Sequence, residues 1–111
     1  MKSTSIVIPT LVRIKPGALD RLGVYARRGG FNGVAVFFNK ELDRSLVARG
    51  DAAFAGQSIP VLQHVEVESS GFDHAQDIFQ ALDGKTELIV GIGGGKALDV
   101  AKYVSFLSRI P

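Results

Sequence analysis

Between Glu87 and Lys102 the chain changes its apolar period from that of a strand to that of a helix, with glycines at the change. Leu88, Ile89 and Val90 form a continuous apolar run of the kind found in parallel strands covered on both faces. Gly91, Gly93, Gly94 and Gly95 come at once after it, and without Cβ atoms they can take positive φ and let a bulky anion approach the backbone. From Lys96 onward, Ala97, Val100, Ala101, Val104 and Leu107 recur on one helical face, with Lys96, Asp99 and Lys102 off it. A strand, a glycine turn and a helix opening in this order specify a βα unit whose free helix amides point at the turn. A pyrophosphate placed there gains amide hydrogen bonds and roughly 0.3–1 kcal/mol of helix-dipole attraction per charge.

Two common glycine motifs do not fit the residues present. A P-loop would need glycine where Val90 stands and Ser or Thr where Ala97 follows Lys96, so ATP or GTP chemistry loses support. The dinucleotide fingerprint G-x-G-x-x-G begins correctly at Gly91 and Gly93 but meets Lys96 at its last glycine, and it normally opens the first βα unit of its fold. The alternative is a glycine-rich strand-to-helix turn with no ligand.

The rest of the chain repeats the alternation. Ser5 to Ile8 and Leu11 to Ile14 are β-rich pieces separated by Pro9, and a helix is expected from about Ala18 to Arg28, stopped by Gly29 and Gly30. Gly33 to Phe38 reads as a buried strand. A weaker helix spans Glu41 to about Phe54, interrupted in quality by Gly50. After Pro60, Val61, Val65 and Val67 are assigned to one face of a strand and His64, Glu66 and Glu68 to the other, a half-exposed pattern suited to a sheet edge. Asp73 to Asp83 is expected to be helical, with Ala75, Ile78, Phe79 and Leu82 on its apolar face and Gly84 as its stop. Four βα units in succession predict an α/β fold, a Rossmann-like parallel sheet flanked by helices with right-handed crossovers. Ligands of such sheets sit outside the carboxyl ends of the strands.

Composition narrows the class further. With 111 residues, 46% hydrophobic and 22% charged, the chain is one globular domain or part of one. The absence of cysteine removes disulfides, thiolate catalysis and cysteine zinc sites. No apolar run is long enough to span a bilayer and no signal peptide is evident, so no membrane partner and a cytoplasmic location are expected. The net charge of +2 is spread along the chain, and Arg27-Arg28 is too short a basic cluster to argue for nucleic acid. His64 and His74 lack a third ligand at metal spacing, so no metal site is expected in this chain. No Ser-His-Asp set stands out, and no catalytic residue is assigned.

The glycine turn also carries a family resemblance. Gly93-Gly94-Gly95-Lys96, followed by Asp99 and Ala101-Lys102, resembles the G-G-G-x-x-x-D-x-A-K signature of the iron-containing alcohol dehydrogenase and dehydroquinate synthase superfamily. Within it, the match is best to the glycerol-1-phosphate dehydrogenase branch. The segment Ile14-Lys-Pro-Gly-Ala-Leu-Asp-Arg-Leu-Gly23 is similar to that family's opening strand and the start of its first helix. The resemblance covers essentially all of residues 1–111 as a truncated, dehydroquinate synthase-like N-terminal domain. It implies that Gly93, Gly94, Gly95 and the Lys96 backbone bind the pyrophosphate of NAD or NADP. It further implies that Asp99 faces the cleft near the substrate or nicotinamide, with Lys102 on the same helix. The alternatives are a helix-dipole role for Asp99 and a solvated ion pair between Lys102 and Asp99.

Asn39 stands at the end of the Gly33–Phe38 strand, where relatives often place an aspartate on the adenine-side ribose. A neutral Asn39 beside Lys40 would tolerate a 2′-phosphate, so both NAD and NADP stay open. The alternative is that Asn39 ends the strand and caps the next helix.

The resemblance implies an NAD(P)-dependent, metal-assisted dehydrogenase acting on a small-molecule polyol or polyol phosphate. Its divalent zinc or iron would be held in a later helical domain absent here. This portion alone is then expected to bind nucleotide without being active, and to associate as a homo-oligomer or swapped dimer through its open sheet edge. Two other readings stay open: part of a dehydroquinate-synthase-like cyclase, and a non-catalytic nucleotide-binding or interaction module.

Overall fold

A computed structural model describes residues 10–12, 19–68, 72–93, 95–108 and 110. Strands and helices alternate: β1 (Thr10–Val12), α1 (Leu22–Gly29), β2 (Val34–Asn39), α2 (Arg44–Ala55), β3 (Val61–Val67), α3 (Phe72–Ala81), β4 (Leu88–Ile92) and α4 (Gly95–Ser108). The strands form one parallel sheet in the order β1-β4-β2-β3. The predicted Rossmann-like α/β fold is therefore observed. The expected Ser5–Ile8 strand lies outside the described residues.

Two apolar layers hold the helices to the sheet. Val34, Val36 and Phe38 of β2 and Leu88, Val90 and Ile92 of β4 point into one layer with Leu22 and Ala26 of α1 and Val47 and Phe54 of α2. The intervening residues Ala35, Phe37 and Ile89 point the other way, onto Ala75 and Ile78 of α3 and Ala97, Val100, Ala101 and Val104 of α4. Two-residue alternation in strands buried on both faces is what lets one sheet serve two cores. The apolar face read for α4 is the buried one, with Leu107 half-buried at its end.

These layers fix the topology at the site. The connections β1-α1-β2 and β2-α2-β3 travel in one direction across the sheet with their helices on one face. The connection β3-α3-β4 travels back with its helix on the opposite face. The three crossovers thus share one hand. Neighbouring strands β2 and β4 release their chains to opposite faces, which creates a topological switch point between their carboxyl ends.

Four local expectations are corrected. Helix α2 starts at Arg44 rather than Glu41, because Asp43 is its N-cap and accepts a 2.9 Å hydrogen bond from the Ser45 amide. Phe79, placed on the apolar face of α3, is 39% exposed at the rim, while Ala75 and Ile78 carry the burial. Strand β3 is an outer strand as expected, but Val61 does not share a face with Val65. Its register slips against β2 between Val34 and Ala35, pairing Val34 with Val61 and Ala35 with Gln63. The extra residue breaks the alternation, so Val61 packs on the α1/α2 layer and Val65 on the α3/α4 layer. Helix α1 ends at Gly29, and Gly30 is the residue that turns left-handed, at φ 77°.

Candidate cofactor site

The sheet register brings the two expected site segments together. Phe38 of β2 pairs with Ile92 of β4, so the next residues, Asn39 and Gly93, meet at the mouth of the switch point. Gly93 has φ 132°, a conformation that side chains rarely adopt. A Cβ at Gly93 would lie 2.2 Å from Asn39 Oδ1. The backbone conformation favours glycine here, and any larger residue would also have to displace the Asn39 side chain. Asn39 is only 9% exposed, and its carbonyl accepts a hydrogen bond from the Leu42 amide, which starts the turn out of β2. It does not cap α2, since Asp43 does.

The remaining glycines divide between roles. Gly91 is not in the turn. It lies inside β4, where an added Cβ would come within 3.1 Å of Leu98 Cδ2 and 3.3 Å of Ala101 Cβ. Its lack of a side chain lets α4 settle close against β4, a packing role rather than an anion-binding one. Gly95 is the first residue of α4, which directs that helix's amino end at the Gly93 turn. Gly94 lies outside the described residues, as does the side chain of Lys96.

Asp99 and Lys102 are both exposed on α4. Asp99 lies beyond the first turn of the helix, which holds no acidic residue. A helix-dipole role is therefore a poor account of it. Among the described residues no ion pair joins Asp99 to Lys102.

The rim of the site beside β2 is laced with charge. Lys40 Nζ stands 3.7 Å from Glu68 Oε1, and Arg44 pairs with Glu66 while its guanidinium lies 4.8 Å from the centre of the Phe38 ring. Farther from the mouth, His64 Nε2 contacts Asp51 Oδ2 at 2.8 Å. Asp43 has its pKa held below the usual 3.8, chiefly by the Ser45 amide hydrogen bond and then by the Ser45 hydroxyl, against a small opposing effect of burial.

A separate shallow cleft of about 430 Å³ opens at the amino ends of the strands, lined by Asn32, Pro60, Leu62, Lys85, Thr86 and Glu87. The Thr86 hydroxyl is buried there without a hydrogen-bond partner. This end carries neither the glycine turn nor a helix amino terminus, and sheets of this kind bind at the other end. The cleft is not taken as the site. Among the described residues no group of three or more His, Cys, Asp or Glu side chains comes together to hold a metal. No helix described is long and apolar enough to cross a membrane.

The glycine turn, the strand on which it sits and the helix after it fall within a match to a family model described as iron-containing alcohol dehydrogenase, over residues 13–111. The chain belongs to the iron-containing alcohol dehydrogenase family. Within that family it is similar to the NAD(P)+ glycerol-1-phosphate dehydrogenase of Pyrobaculum arsenaticum, with 26% identity over 107 residues, 96% of this chain and 28% of the relative. It is also similar to long-chain-alcohol dehydrogenase 1 of Geobacillus thermodenitrificans, with 32% identity over 111 residues, covering 97% of this chain and 28% of that one. The fold matches that of NADH-dependent butanol dehydrogenase A from Thermotoga maritima, with a TM-score of 0.68 and 18% identity over 91% of this chain and 27% of the other. The chain thus spans somewhat more than a quarter of the length of these family members.

The juxtaposition of Asn39 with Gly93 is not legible in the sequence. The family resemblance assigns the two residues to different groups of the cofactor, the pyrophosphate and the adenine-side ribose, and only the pairing of β2 with β4 shows that they touch. The signal is latent in the order of the strands, which no local pattern encodes.

Proposed function

We propose that this chain supplies the nucleotide-binding part of an NAD(P)-dependent alcohol dehydrogenase acting on a polyol or polyol phosphate. The observation that carries the reading is Gly93, at φ 132°, placed at the switch point with the amino end of α4 behind it. A pyrophosphate is the group that such a turn suits. Backbone amides of Gly93, Gly94, Gly95 and Lys96 would hold its oxygens, and the absent Cβ atoms let it approach. Asp99, exposed one turn into the helix, would meet substrate or nicotinamide in this reading, with Lys102 one turn further along. Asn39 lines the same mouth.

When bound, the dinucleotide supplies the hydride acceptor, and a divalent metal supplies the charge that polarises the alcohol. In this reading the part of the enzyme formed by these residues would contribute cofactor binding and orientation. The names of the relatives favour dehydrogenation over cyclisation, and the glycerol-1-phosphate enzymes among them favour a phosphorylated polyol.

Calorimetric titration with NAD and NADP tests the reading, together with thermal melting. Saturation at 100 times the dissociation constant should stabilise the fold by about 2.7 kcal/mol. Gly93→Ala should abolish the heat of binding while the protein still melts cooperatively. No binding of either dinucleotide to the unmodified chain would sink the proposal.

A further inference from the structure

The cleft at the amino ends of the strands is built from three connections that take no part in the glycine turn. Asn32 precedes β2, Pro60 and Leu62 lie at the start of β3, and Gly84 to Glu87 lead into β4, bordering about 430 Å³. That volume is in the range of small-molecule sites. Hydrogen bonds to the main chain tie the walls to one another. The Glu87 and Leu88 amides both donate to the Gly33 carbonyl, at 2.8 and 3.0 Å, and the Val34 amide donates to the Pro60 carbonyl at 3.1 Å. The Asn32 amide donates to Glu87 Oε1 at 2.9 Å, and the Lys85 amide to Asp83 Oδ1 at 2.8 Å. At the back the fit is close, since a Cβ on Gly33 would lie 2.7 Å from the Lys85 carbonyl oxygen, whereas one on Gly84 would meet nothing within 4 Å. The cleft keeps its shape without a ligand.

Thr86 is the odd residue in this frame. It lines the cleft and is 5% exposed, and its hydroxyl has no hydrogen-bond partner. Buried hydroxyls are normally paired, and one left unpaired subtracts from stability, so a partner from outside the chain accounts for it. The cleft is the side from which such a partner can arrive.

The lining restricts what that partner is. Lys85 brings an ammonium that joins no ion pair among the described residues, and Glu87 brings a carboxylate, so the charges cancel. An anion or a cation would meet a like charge as well as an opposite one. Hydroxyl groups avoid that conflict: one accepts from Lys85, another both donates to and accepts from Thr86, and the Asn32 amide offers both roles again. Pro60 and the half-buried Leu62 supply an apolar surface for the C–H face of such a molecule.

We infer that this cleft is a second small-molecule site and that it takes an uncharged polyhydroxylated compound of about monosaccharide size. Thr86 pairs with one ligand hydroxyl, Lys85 donates to another, and the C–H face lies on Pro60 and Leu62. The site is at the opposite end of the sheet from Gly93, so it stands whether or not the glycine turn binds a dinucleotide.

The test is a titration of D-glucose into the unmodified chain, Thr86→Val and Lys85→Ala, followed by amide chemical shifts in NMR, with acetate and inorganic phosphate as charged probes and thermal melting alongside. Glucose should give saturable shifts at Asn32, Lys85, Thr86 and Glu87 and none at residues 93–95. The dissociation constant should be on the order of millimolar, which about a dozen heavy atoms give at modest efficiency. Thr86→Val keeps the shape of the side chain and removes the hydroxyl. It should bind glucose about tenfold more weakly yet melt at or above the parent temperature, because the hydroxyl has no partner within the chain to lose.

A hydroxyl that serves the fold alone would give the opposite pair, a lower melting temperature with unchanged binding, and would overturn the inference. So would the absence of saturation by glucose, or tighter binding of acetate or phosphate than of glucose. If Thr86→Val does not fold, Lys85→Ala, at an exposed position, carries the test, and glucose affinity unchanged in that variant would overturn the inference as well.

Discussion

Gly93 and Gly91 show how two glycines of one motif are required for unrelated reasons. At Gly93 the constraint is conformational, and replacing it with alanine costs about 1–3 kcal/mol from the backbone alone, before the overlap with Asn39 Oδ1 is counted. At Gly91 the constraint is space. Gly91→Val should cost about 1–3 kcal/mol through overpacking against Leu98 and Ala101, as measured by urea denaturation, with little direct effect on nucleotide contacts. Asp43 supplies a pH-dependent prediction. Its pKa is lower in the fold than its ordinary 3.8, so its stabilising effect is complete above the unfolded value and fades as pH falls through the folded one. Asp43→Ala should therefore melt at a lower temperature than the parent at neutral pH, and the gap should close in strongly acidic buffer. A gap that persists unchanged in acid would show that the carboxylate is not the source.

At the level of elements, strong periodicity is readable in the sequence and contacts across the sheet are not. The runs at Val34 to Phe38 and Leu88 to Val90, and the helical face Ala97, Val100, Ala101 and Val104, lie where their patterns place them because each is decided by local burial. The start of α2 is hidden, since Glu41 and Leu42 look as helical as the residues after Asp43 and only the Ser45 bond identifies Asp43 as the cap. The face of Val61 is hidden because a register slip has no sequence signature of its own. Gly50 reads as a weakness in α2 by propensity. It is buried, and an added Cβ would come within 3.2 Å of Ile92 Cδ1, so a poor helix former is used where the helix crosses a neighbour closely. The same economy holds α1 to α2. A Cβ on Gly23 would come within 2.0 Å of the Ala53 carbonyl oxygen, which is backbone and cannot swing away. Gly23→Ala should force the two helices apart and lower the melting temperature more than Gly84→Ala, whose added Cβ meets nothing within 4 Å.

For the whole molecule, β2 is, with β4, an element on which both cores depend. All six of its residues are buried, with Val34, Val36 and Phe38 in one layer and Ala35 and Phe37 in the other. Phe37→Ala should cost about 3–5 kcal/mol, in the upper range for a core truncation. Because the sheet is shared, the loss should show as one cooperative transition in which both helical layers melt together. Separate melting of α1/α2 and α3/α4, monitored by residue-resolved hydrogen exchange, would refute that coupling.

The strand order β1-β4-β2-β3 has a further consequence for how the molecule comes into being. Among the described residues β1 pairs with β4 alone, and β4, which follows β1, β2 and β3 in sequence, is inserted between β1 and β2. Until β4 arrives, β1 has no partner among the described strands and the mouth beside β2 has only one wall. A nascent chain emerging from its amino end therefore cannot assemble the mouth piecemeal, and the closing step must join segments distant in sequence, which makes folding slow. The gap between β1 and β2 closes only when β4 enters it.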